Sequence, residues 1–192
     1  GVLERLAALG VAPEEIEHVV ITHAHGDHYN RLTVKRDGAY QLAFPNARCY
    51  LGASDWTSDY CQSELQKADS LDTRTLGVVH GAGRLVPVDG ELNLAPNVSI
   101  LPAPGETPGH QILRVRAGGQ TLYCIGDLYH HPIEVIHPTW MSPWGNPTTN
   151  VRSRQSVAEA ALADNALLVA THIRGVGRLE RHDGGVRWVE SP

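Results

Sequence analysis

Apolar residues recur at helical spacing from Leu3 to Leu9 and stop at Gly10, which predicts a short helix closed by a glycine cap. His18 to Thr22 then reads as a short buried strand, and a cluster of histidines begins where it stops. Asn46 to Gly52 reads as a second strand. Ser54 to Lys67 reads as a helix capped by Ser54 or Asp55, and Thr73 to His80 as a further helical stretch. Arg84 to Val88 and Val98 to Leu101 are β-like runs punctuated by proline and glycine, while His110 to Arg116 and Gln120 to Ile125 flank Gly118-Gly119 as hairpin strands would. A loop rich in proline and tryptophan, His131 to Asn150, leads to a helix from about Arg152 to Ala163 and a buried strand, Ala166 to Ala170. Three apparent strand ends therefore carry polar residues into loops: His23 onward, Asp127 and His172.

Residues 1–192 fit one domain, with 42% hydrophobic and 19% charged residues, as in ordinary folded chains. The formal net charge of −5 leaves no basic field to attract a phosphate backbone, so no nucleic-acid partner is expected. No apolar run approaches the roughly 20 residues that span a bilayer, so no membrane partner is expected and a cytoplasmic location is the expectation. Cys49, Cys61 and Cys124 match neither a disulfide framework nor a metal knuckle and read as free thiols.

Candidate chemistry is concentrated in His23-Ala24-His25-Gly26-Asp27-His28, three imidazoles and one carboxylate within six residues. In extended backbone, side chains two apart point the same way, so His23 and His25 can face one ion while a turn at Gly26 brings Asp27 and His28 round to a second. Imidazole and carboxylate are the donors zinc takes in hydrolytic sites.

This segment resembles the HxHxDH motif of the metallo-β-lactamase superfamily, and further matches follow in order from about Glu14 to the C-terminus. His110 in Gly105-Glu106-Thr107-Pro108-Gly109-His110 resembles the third histidine, Asp127 the bridging carboxylate and His172 the last ligand. The resemblance implies an α/β fold, the αβ/βα sandwich, and two divalent metal ions, zinc first, with manganese, iron or cobalt as substitutes. It implies that His23, His25 and His110 hold one ion, that Asp27, His28 and His172 hold the other, and that Asp127 bridges. A hydroxide shared between two such ions forms at neutral pH, because the pair lowers the pKa of water from about 15.7 towards 7. Asp27 is then a catalytic residue that orients the hydroxide and helps move its proton, and His130, where related lactonases carry tyrosine, a second one beside the substrate. His131 is expected in a supporting role, and His18, His80, His137 and His182 lack a ligand context. Tyr129, Trp140 and Trp144 are candidates for an apolar substrate wall or for core packing.

Two departures from the family pattern stand out. Only about 22 residues precede the motif, so much of the first sheet is expected to be missing, either because the chain is a piece of a longer protein or because a second copy, in a homo-oligomer, covers the exposed face. Glu106 stands where many relatives carry histidine and is expected to act around the ligands rather than among them. The expected activity is hydrolysis of small-molecule esters or lactones, with phosphotriester or other phosphoester hydrolysis as the alternative and a non-catalytic metal-binding module as the second alternative.

Overall fold

The computed structural model describes residues 1–191, which divide into two compact units, Gly1–Val88 and Asp89 onward. Each unit has its own sheet and its own apolar core. Among the described residues, no helix is long and apolar enough to cross a membrane.

The first unit opens with α1 (Val2–Ala8), β1 (His18–Val20) and the single turn α2 (Gly26–Tyr29). A hairpin of β2 (Thr33–Arg36) and β3 (Ala39–Leu42) follows, and its turn places Asp37 and Gly38 at φ 50° and 83°, the pair of positive values that a tight hairpin requires. Next come β4 (Arg48–Gly52), α3 (Ala53–Trp56), α4 (Asp59–Leu65), a π-helical turn at Thr73–Gly77 running into α5 (Val78–Gly81), and β5 (Leu85–Val88). The sheet is parallel, in the order β1-β4-β5, and Pro87 sits on its edge strand, where a missing N–H costs no ladder bond. Ile21, Leu51, Cys61, Leu76 and Val79 close its core.

The expected helix Ser54 to Lys67 is broken between Thr57 and Ser58. Ser58 Oγ donates to the Asp55 carbonyl at 2.8 Å and accepts from the Cys61 amide at 3.2 Å, which ends one helix and caps the next.

In the second unit, β6 (Leu92–Ala95), β7 (Val98–Pro102), β8 (Gln111–Ala117) and β9 (Gln120–Cys124) run antiparallel. After α6 (Ile133–Ile136) and α7 (Pro147–Ala163), β10 (Leu167–Val169) returns parallel to β9, because α7 carries the chain back along the sheet. A second Asp-Gly hairpin, Asp183-Gly184, joins β11 (Val176–His182) to β12 (Gly185–Ser191) and completes the order β12-β11-β10-β9-β8-β7-β6. Helix α7 starts five residues earlier than the apolar pattern implies, since Asn146 Oδ1 accepts from the Thr148 and Thr149 amides at 3.1 Å and Pro147 fits the first helical position. Val157 and Ala161 of this helix share a core with Tyr129, Leu168 and Trp188.

Candidate metal centre

In the first unit, the chain leaves β1 still paired, with the Ile21 amide donating to the Tyr50 carbonyl at 2.9 Å, and then turns through Thr22 to His25. The buried Asp55 carboxylate accepts from the Ala24 amide at 2.8 Å and fixes this turn. His23 Nε2 faces His25 Nδ1 at 2.9 Å, and the His23 and His28 rings lie 4.0 Å apart between centroids. Thr22 Oγ1 lies 3.1 Å from His23 Nδ1 and 3.3 Å from His28 Nδ1, so one hydroxyl orients two imidazoles from behind. Asp27 Oδ2 lies 3.4 Å from His28 Nε2 and its side chain is the exposed member of the cluster. A Cβ at Gly26 would lie 2.7 Å from Leu71 Cδ2, the end of a side chain that would have to turn aside.

In the second unit, His110 enters β8 from a tight loop in which the Gly105 amide donates to the Thr107 carbonyl at 3.0 Å. His110 Nδ1 donates to the Ala103 carbonyl at 3.0 Å, which leaves the Nε2 lone pair to accept from the Asp127 amide at 3.2 Å. Asp127 follows β9 and His172 follows β10. Asp127 Oδ2 lies 3.1 Å from His172 Nε2 and 3.2 Å from His130 Nε2, and the two rings stack 5.3 Å apart. Asp127, His130 and His172 thus each offer a donor atom within 4.8 Å of the others.

His130 is further tied down by Glu134, whose carboxylate accepts its amide at 3.0 Å, and Glu106 Oε1 lies 3.6 Å from its Nε2. Its pKa is raised, chiefly by the hydrogen bond to Asp127 and against the effect of burial. Behind Glu134 stands Arg154, 1% exposed, which donates to Glu134 at 2.6 Å and to the Leu128 and Pro138 carbonyls at 2.8 and 3.0 Å. Glu134 and Arg154 escaped the reading of the sequence, and Asp55 was read there only as a helix cap. An isolated charge in a loop or helix looks like a solvated face, and no spacing signal ties any of the three to the histidines.

The other candidates separate clearly. His131 Nδ1 accepts from the Ile133 amide at 3.1 Å, His18 meets the Tyr50 hydroxyl at 3.0 Å, His80 packs on Trp56, His137 stacks on Trp140, and His182 pairs with Asp183. Tyr129 is a core residue, so it forms no part of a substrate wall, whereas Trp140 and Trp144 are 55% and 64% exposed.

Both units thus supply what a divalent cation takes. Donor atoms around one tetrahedral zinc lie about 3.3 Å apart, given bonds of about 2.0–2.1 Å. The spacings within each unit, 2.9 Å for His23 and His25 and 3.1–3.2 Å around Asp127, fit that geometry with little movement.

A hydrolase of the β-lactamase superfamily, AbOPH, superposes with a TM-score of 0.79 at 20% identity, over 100% of this chain and 69% of that one. AidC, a dizinc quorum-quenching lactonase in complex with a product, gives 0.79 at 21% identity over 99% and 69%. A probable metal-dependent hydrolase from Staphylococcus aureus gives 0.78 at 17% over 98% and 67%. Among curated proteins, no sequence match is found. Residues 1–172 match the Metallo-beta-lactamase superfamily, and the chain belongs to that family.

Proposed function

We propose that this protein is a hydrolase of small carbonyl esters or lactones, with His23, His25 and His110 holding one divalent ion, Asp27, His28 and His172 holding a second, and Asp127 bridging. The observation that carries the reading is the position of Asp127, whose Oδ2 lies within 3.2 Å of nitrogens from two other candidate residues while its backbone meets a third, His110. Two divalent cations held by these residues, zinc first, would supply a hydroxide nucleophile at neutral pH and would polarise a carbonyl. Asp27, a carboxylate with its side chain still exposed, accepts and passes on the nucleophile's proton. His130, held by Glu134 and Asp127, presents an N–H to the substrate oxygen that gains charge.

A carbonyl substrate is favoured over a phosphodiester because the loop after Asp127 offers apolar rings: residues 138–150 contain no lysine or arginine. Support also comes from two solved relatives described as lactonases with a product bound. A second reading, phosphotriester hydrolysis, is favoured by His130 itself, since a neutral triester fits the same loop and an imidazole stands where lactonases carry tyrosine. The deciding experiment is a substrate panel. The expected kcat/KM for an aliphatic lactone or aryl ester exceeds that for a phosphodiester by on the order of 100-fold, about 2.7 kcal/mol. A phosphodiesterase rate above both would overturn the assignment.

A further inference from the structure

We infer that Glu106 is a positioning residue that holds Trp144 as a fixed apolar wall beside Asp127, His130 and His172, and that this wall selects esters and lactones with an extended apolar acyl chain. The inference rests on the hydrolase reading above and adds the substrate class to it.

Trp144 Nε1 donates to Glu106 Oε1 at 2.5 Å. The same oxygen lies 3.6 Å from His130 Nε2, which lies 3.2 Å from Asp127 Oδ2. One carboxylate therefore separates the indole from the Asp127 cluster. The burial of the two partners is opposite: Glu106 is 3% exposed and Trp144 is 64% exposed. A buried carboxylate demands strong donors, and indole has a single one, so the bond fixes which edge of the ring turns inward and leaves the remaining apolar face open.

The backbone around Trp144 is pinned on both sides. Before it, Arg154 Nη1 donates to the Pro138 carbonyl at 3.0 Å and to the Trp140 carbonyl at 2.5 Å. After it, the Asn146 amide donates to the Gly105 carbonyl at 2.7 Å. Gly145 lies so close to that carbonyl that a Cβ would approach it to 2.9 Å. The ring is thus carried on a stretch without freedom to swing away. No charged residue occurs between 138 and 150, so the wall offers contact to an uncharged chain and nothing to an anionic one. Glutamate suits this task better than the histidine many relatives carry, because a carboxylate accepts the indole N–H strongly.

The test uses the full-length, metal-loaded protein with p-nitrophenyl acetate and p-nitrophenyl octanoate. Each methylene laid on the ring is worth about threefold, so the octanoate preference of the wild type is expected to be at least tenfold. Trp144→Ala should cut the octanoate-to-acetate ratio of kcat/KM about tenfold, mainly through KM, and Trp144→Phe should restore part of it. Glu106→Leu should lower the ratio as Trp144→Ala does and raise acrylamide quenching of tryptophan fluorescence, while Glu106→Gln keeps both near wild type. A ratio unchanged in Trp144→Ala, or a Glu106→Leu variant with wild-type quenching, would overturn the inference and leave the hydrolase reading standing. No turnover of either ester by the metal-loaded wild type would remove both.

Discussion

Asp127 Oδ2 and His172 Nε2 meet at 3.1 Å because both residues leave the carboxyl ends of β9 and β10, the parallel pair in the second unit's sheet. Parallel neighbours put their loops on the same side, and in open α/β sheets that side is where ligands gather. Asp127→Ala is therefore expected to remove metal from both proposed sites, whereas His110→Ala and His172→Ala each weaken one. Metal content of the three purified variants checks this, and equal loss in all three would argue against a bridging Asp127.

His130→Ala is expected to lower kcat on the preferred ester about 10- to 1,000-fold while metal content stays at the wild-type level. Loss of metal in this variant would make His130 a ligand, a role its 3.2 Å approach to Asp127 also permits geometrically.

Arg154 donates to Glu134 and to three backbone carbonyls from a position 1% exposed, and burial already lowers its pKa. Arg154→Ala leaves Glu134 without its cation and the carbonyls without donors, an expected loss of about 3–5 kcal/mol. For a chain of this size that is a fall in Tm of roughly 10 °C, measurable by calorimetry.

Gly105 has φ 150°, and a Cβ there would lie 2.3 Å from Asn150 Cα, a backbone atom of α7 that cannot yield cheaply. Gly105→Ala should destabilise the protein by about 2 kcal/mol or more in urea unfolding. Gly10→Ala, at φ 74° but in open space, should cost about 1 kcal/mol.

Burial pushes the Cys49 thiol up to about 11 and, with Asp72 and Asp55 adding to it, the Cys61 thiol up to about 12. A group whose pKa is raised on folding contributes stability that is complete below its unfolded value, near 8.5 for cysteine, and is lost as pH rises through the folded value. Unfolding free energy should fall between about pH 9 and 12. Thiol reagents at pH 8 should label these two cysteines only in denaturant, and rapid labelling of the folded protein would contradict their burial.

How much of this was legible in the sequence differs by residue. The HAHGDH stretch stood out because four donor side chains in six positions have no structural use at that density. The Gly118-Gly119 hairpin was legible because apolar strands flank it. The Asp37-Gly38 and Asp183-Gly184 hairpins carry related turn chemistry, yet charged residues such as Lys35, Arg36, Glu180, Arg181 and Arg187 interrupt their strands, which weakened the apolar pattern around them. The Glu134–Arg154 pair was invisible because 20 residues separate its members and only the tertiary fold buries the guanidinium. Trp144 and Glu106, 38 residues apart, were hidden for the same reason.

The measurement that bears most directly on the central claim is the metal content of the full-length protein, set beside its ester hydrolysis before and after exhaustive chelation. Seven protein donors are too many for one tetrahedral ion and suit two that share Asp127. The expected result is about two divalent ions per chain, activity abolished by chelation, and part of it restored by zinc, manganese or cobalt. A single tightly bound ion at saturation, or hydrolysis that survives removal of all metal, would contradict it.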